Sequence, residues 1–114
     1  MVSMIYITKG DLNTFALTLT ESTTISNPTY LFKFVWEMNE TLTPVYFIGV
    51  DISAYPQRAN IFELNEGVDA TFNIGQYRYE VYESPVINPV DETGLDKIEE
   101  GRMVVEGTGN TIYD

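Results

Sequence analysis

A period of two limits this chain more than any other feature. In "NTFALTLTES" the apolar residues Phe15, Leu17 and Leu19 alternate with Thr14, Ala16, Thr18 and Thr20, the pattern of a strand with one face in a core and the other in water. The pattern returns in "YLFKFVWEM", where Tyr30, Phe32, Phe34 and Trp36 oppose Leu31, Lys33, Val35 and Glu37. It returns again in "VYFIGVDIS", where Tyr46, Ile48, Val50 and Ile52 oppose Val45, Phe47, Gly49 and Asp51. Both faces of that third run start apolar, which predicts a central pair with the strand before it. "IFELN" reads as a shorter strand, and "EGVDATFNIG" holds a weak one. In "GQYRYEVYES" Tyr77, Tyr79 and Val81 share one face and Arg78, Glu80 and Tyr82 the other, until Pro85 ends the run. "GRMVVEG" closes the series, with "LDKIEE" before it predicted to add a helical turn through Leu95 and Ile98. Asn27 and Pro28, "NETLTP", Pro56 and the polar loop "SPVINPVDETG" supply the punctuation.

Short strands at regular spacing, no amphipathic helix and no fixed-period repeat specify an all-β fold. A sandwich of about seven to eight antiparallel strands is favoured over a small barrel. The 114 residues fit a single domain, 1–114, with 108–114 either a tail or a last edge strand; a chain of this size buries roughly 65% of its unfolded surface. The order of residues in "NIGQYRY" narrows the sandwich to the immunoglobulin-like kind. There a tyrosine near the start of the sixth strand bonds back to the corner that leads into it, two residues ahead of a core position. Asn73 and Gly75 supply the turn, Tyr77 the corner hydroxyl, and Tyr79 the core position often held by cysteine. Trp36 is the residue expected to pack across the core, with Phe34, Tyr79 and Leu17 closing the space without a disulfide. "MIYITK" at the start can pair with its own sheet or with another subunit.

The chain has no cysteine and no histidine, so thiol chemistry, disulfides, imidazole bases and the usual zinc ligands are absent together. Catalysis is therefore not expected. The carboxylate pairs Glu99 with Glu100 and Glu80 with Glu83 fall on opposite faces of an extended strand and do not converge. Asp91, Glu92, Asp96, Glu99 and Glu100 offer oxygens for calcium but not the EF-hand spacing, and read as solvated charge. "NET" at Asn39 to Thr41 matches a glycosylation sequon and reads as a turn. No cofactor or metal is expected. The net charge is −11, and all of it lies after Trp36, where 15 acidic residues face four basic ones. Such a surface repels nucleic acid and anionic lipid, and reads either as charge that keeps the protein soluble or as a face for a basic partner. No run approaches the length of a membrane span, and the opening segment lacks the pattern of a secretory signal. The residues expected to make partner contacts are Tyr82, Arg78 and Glu80 on the outward face, with Tyr55 and Tyr6. Tyr6, Tyr55 and Tyr82 are also the rings that a sugar would stack on.

"FALTLTESTTISNPTYLFKFVWEM", "VYFIGVDIS" with "RANIFEL" downstream, "GQYRYEVYES" and "LDKIEEGRMVV" occur here in that order. The order resembles a group of small virion proteins from tailed bacteriophages of Bacteroidetes hosts, the crAss-like phages among them. The family pattern runs TLTE, NPxYLF, RxNxF, GxYxYxVYE and LExG, and this chain departs from it in carrying "KIEEGR" at the last. The resemblance spans Phe15 to Val105 and rests on order more than on any one segment. It implies a non-enzymatic structural protein of the virion, assembled in the host cytoplasm. Such a protein is an auxiliary or decoration protein bound to the major capsid protein, or else a tail- or head-fibre-associated domain that touches host glycan.

Overall fold

A computed structural model describes residues 3–19, 29–38, 43–52, 59–86, 89 and 92–107. Seven strands make up its regular structure, with no helix among those residues. They are β1 (Ser3–Thr8), β2 (Leu12–Leu17), β3 (Thr29–Trp36), β4 (Val45–Gly49), β5 (Asn60–Asn65), β6 (Gly75–Ser84) and β7 (Asp96–Glu106). Five form one sheet in the order β1, β7, β6, β3, β4, and β2 pairs with β5 in a second. The fold is all-β. One pairing departs from the expected antiparallel set: β1 runs parallel to β7, from Ser3 opposite Gly101 to Thr8 opposite Glu106. These are the first and last strands among the described residues, so no hairpin fixes their relative direction.

The alternation places one face of each sheet against the other. Phe32 and Phe34 of β3, Phe47 of β4, Tyr77, Tyr79 and Val81 of β6, Met103 and Val105 of β7, and Ile5 and Ile7 of β1 are buried. So are Phe15 and Leu17 of β2 and Phe62 and Leu64 of β5, and all of these residues share one core. Phe32 is its hub, with ring centroids of Phe62 at 5.1 Å, Phe47 at 5.6 Å, Phe15 at 5.7 Å and Phe34 at 6.0 Å. Trp36 points to the same side but is only partly buried, packing at the rim. It sits at the last position of β3, past the reach of the small sheet, and Phe32 and Phe34 hold the centre in its place.

Three local expectations change. β4 lies at the sheet edge and stops at Gly49, so its apolar outer residue Ile48 is partly open to solvent. "EGVDATFNIG" forms a tight turn, with Val68 and Asp69 amides donating to the Asn65 carbonyl and only an isolated bridge from Glu66 to Ala70. "LDKIEE" extends β7 instead of forming a helical turn. Val81 faces Glu99 while Tyr82 faces Lys97, so Ile98 is the extra residue of a β-bulge. A bulge interrupts period two and mimics the spacing of a helix.

Gly49 is required by close approach. A Cβ there would stand 2.8 Å from Cε1 of Phe32 and 2.9 Å from Cδ1 of Phe62, in the middle of the ring cluster. Gly49→Ala is expected to cost about 1–3 kcal/mol through overpacking, seen as a lower urea midpoint at unchanged m-value.

Candidate functional site

Four of the five residues named above for partner contact, Tyr6, Arg78, Glu80 and Tyr82, stand at outward positions of the large sheet; Tyr55 lies outside the described residues. Strand register sets out this face in rows. Met4, Arg102 and Arg78 lie side by side, Glu100 and Glu80 form the next row, and Lys97 and Tyr82 the one beyond. Tyr6 is the most open of the rings, at 64% exposure. Tyr82 is half-buried, and its hydroxyl donates to Oε1 of Glu80 at 2.6 Å. Burial, and then the Glu80 carboxylate, push the Tyr82 hydroxyl well above the usual tyrosine range, so it stays a donor.

Glu92, from the segment between β6 and β7, reaches the other half of this face. Glu92 accepts from Lys33 Nζ at 2.7 Å and from the Tyr46 hydroxyl at 2.6 Å, and Lys33 and Tyr46 are themselves cross-strand neighbours. Lys33 first and Tyr46 second hold the Glu92 carboxyl at about 2. With its folded pKa below the ordinary 4.5, the tie is complete above that pH and lost only as pH falls towards 2. Among the described residues the outward face therefore carries Lys33, Arg78, Lys97 and Arg102 against Glu37, Glu80, Glu92, Glu100 and Glu106. Arg102 reaches Glu37 at 3.1 Å, and Lys97 reaches Glu100 at 2.8 Å and Glu80 at 3.9 Å. Acids and bases on this face nearly balance, although the chain as a whole carries a net charge of −11.

A second surface forms where β1 turns into β2, β3 ends and β5 gives way to β6. Tyr77 is buried there, and its hydroxyl accepts from the Asn73 amide at 2.7 Å. Its ring packs edge-on to Phe72 and stacks with Trp36. Tyr79 lies two residues on, fully buried. Gly75, at φ 134°, brings the backbone to where a Cβ would be 3.0 Å from Trp36 Nε1, a conformation that side-chain-bearing residues rarely adopt. Beneath this corner Glu66 accepts from the Gly10 amide at 2.8 Å, the Phe72 amide at 2.9 Å and Lys9 Nζ at 3.1 Å. Glu66 thereby ties the first turn to the last corner. Four large apolar side chains, Leu12, Met38, Val68 and Ile74, project from the same end with 56 to 77% of their area exposed.

Glu66 and this apolar end carry no mark in the sequence. "NEGVDA" looks like a solvated turn, and Lys9 is 57 residues away. Of the acids considered for calcium, Glu92 and Glu100 are engaged by lysines, Glu99 faces the Tyr79 hydroxyl at 3.4 Å, and Asp91 lies outside the described residues. Among the described residues no three His, Cys, Asp or Glu side chains converge on a point that could hold a metal. No family model, no curated protein and no solved structure matches the chain.

Proposed function

We propose that the chain is an immunoglobulin-like β-sandwich that works by contact rather than by chemistry, as an auxiliary protein of a phage capsid shell. Strand order supports the fold: β7, β6, β3 and β4 lie in an order like the G, F, C, C′ of a variable-type sheet, β2 pairs with β5 as B does with E, and the Tyr77 hydroxyl meets the backbone four residues upstream much as a tyrosine corner does. The resemblance of its segment order to that of small phage virion proteins is what supports the setting. The observation that carries the contact role is the apolar end. On an acidic protein, Leu12, Met38, Val68 and Ile74 stand exposed together around a corner braced by Tyr77 and Glu66. Exposed apolar side chains on a rigid support are what a partner protein buries.

The test mixes purified chain with expanded capsids of a crAss-like phage and counts bound copies against the major capsid protein by quantitative mass spectrometry. A copy number that tracks the capsid protein is expected, and Met38→Asp with Ile74→Asp is expected to weaken binding at least about tenfold. Binding to tails but not to shells would replace this reading with the tail or fibre one.

A further inference from the structure

We infer that the outward face of the large sheet pairs with the same face of a second copy of this chain, through a two-fold contact centred on Gly101. The inference concerns the chain alone and does not depend on the shell.

On β7 the sequence Glu100, Gly101, Arg102 puts an acid and a base two residues apart on the outward side, with side chains 63% and 55% exposed. β6 repeats the arrangement beside it: Arg78 stands opposite Arg102 and Glu80 opposite Glu100. Like charges directly opposite on neighbouring strands are unfavourable within one sheet, yet here a row of two arginines adjoins a row of two glutamates. Arg78, Glu100, Gly101 and Arg102 line a shallow cleft of about 210 Å³ between the rows.

A two-fold axis lying in the face between the rows, at right angles to the strands, carries each row onto the other. The arginines of one copy then meet the glutamates of its mate, with Arg102 against Glu100 at both ends of the β7 contact. This is the reciprocity that an isologous interface demands. The same operation sets Val104 against the aliphatic stem of Lys97, and Gln76 against Tyr82. The glutamate row keeps Lys97 on its far side and Arg102 keeps Glu37, so the mate adds to networks already formed.

Charge also selects this face. A body of net charge −11 repels its own copies, and they approach most readily where that field is weakest. Among the described residues of this face four bases stand against five acids, Glu106 at the far end of β7 being the fifth, so the field is largely cancelled where the two rows lie.

The experiment is sedimentation velocity on the full chain over a range of concentrations, at low and high salt. Wild-type chain is expected to show a concentration-dependent dimer that weakens as salt screens the pairs. Arg102→Glu alone and Glu100→Arg alone each place like charges in register and are expected to sediment as monomers. An equimolar mixture of the two restores every pair and is expected to give a heterodimer, and the double exchange E100R/R102E is expected to self-associate again. Circular dichroism of each variant checks that it is folded. A wild-type chain that stays monomeric at every concentration overturns the inference without recourse to any variant. So does a folded single variant that remains dimeric, or a mixture that fails to associate. Shell binding by a monomeric chain would leave the capsid reading standing while this inference falls.

Discussion

Phe62→Ala is expected to lower the unfolding free energy by about 3–5 kcal/mol. Phe62, alongside Phe15, is a ring through which the small sheet grips the large one. It is wholly buried, its ring lies 5.1 Å from Phe32 and 5.6 Å from Tyr30 across the interface, and Phe15 of its own sheet is 5.7 Å away. A two-stranded sheet is marginal by itself in water, so β2 and β5 depend on this contact for their order. Removing the ring deletes its transfer free energy and leaves a cavity walled by other rings, which cannot close in because Gly49 already seats Phe32 and Phe62 without slack. Domains of this size have a total stability of about 5–15 kcal/mol, so the variant approaches the threshold of unfolding at ambient temperature. Urea titration checks this. Glu63→Ala, one residue along but facing water, serves as the contrast and is expected to stay within about 0.5 kcal/mol of wild type. A loss under about 1 kcal/mol for Phe62→Ala would mean that the sheets do not meet at this ring.

What was legible in the sequence follows from range. Period-two runs report which side of a strand faces the core, and they placed Phe15, Leu17, Phe32, Phe34, Tyr77 and Tyr79 on its inner side, where they are buried. The runs carry no information about which strand neighbours which. For that reason β4 reads as central from its apolar start although it lies at the edge, and the parallel pairing of β1 with β7 leaves no trace in either segment. The bulge at Ile98 shows a subtler failure: one extra residue breaks the alternation and leaves Leu95 and Ile98 at helical spacing.

The contact residues divide along the same line. Arg78, Glu80 and Tyr82 share a strand face and can be grouped from their own segment. Arg102 and Glu100 join them only through the register of β6 on β7, so the alternating rows of like charge become visible only with the fold. The apolar end collects Leu12 from the start of β2, Met38 from the connection after β3, and Val68 and Ile74 from the connection after β5, each unremarkable alone because single exposed apolar residues are common.

Glu66→Gln is expected to cost about 2–3 kcal/mol, because the buried carboxylate answers two backbone amides as well as Lys9. One oxygen accepts from the Gly10 amide and the other from both the Phe72 amide and Lys9. A glutamine keeps one acceptor and presents an NH2 group to the remaining amide, leaving a buried donor unmet at about 1–3 kcal/mol. Lys9 is about one-third exposed and can turn to water, which keeps the loss below that of a fully buried pair. For the same reason Lys9→Gln is expected to cost less, about 1 kcal/mol, since both amides keep their acceptor. Acidity separates this account from simple loss of packing. Burial pulls the Glu66 carboxyl upward, but the Phe72 and Gly10 amides and Lys9 outweigh it and hold the group below the ordinary 4.5. A depressed folded pKa means that the charged form stabilises the fold above 4.5, and that this contribution fades as pH falls through the lower folded value. The gap between wild type and Glu66→Gln in urea titrations is therefore expected to be constant from neutral pH down to about that point and to narrow below it. A gap that persists unchanged into strong acid would assign the effect to shape instead of charge.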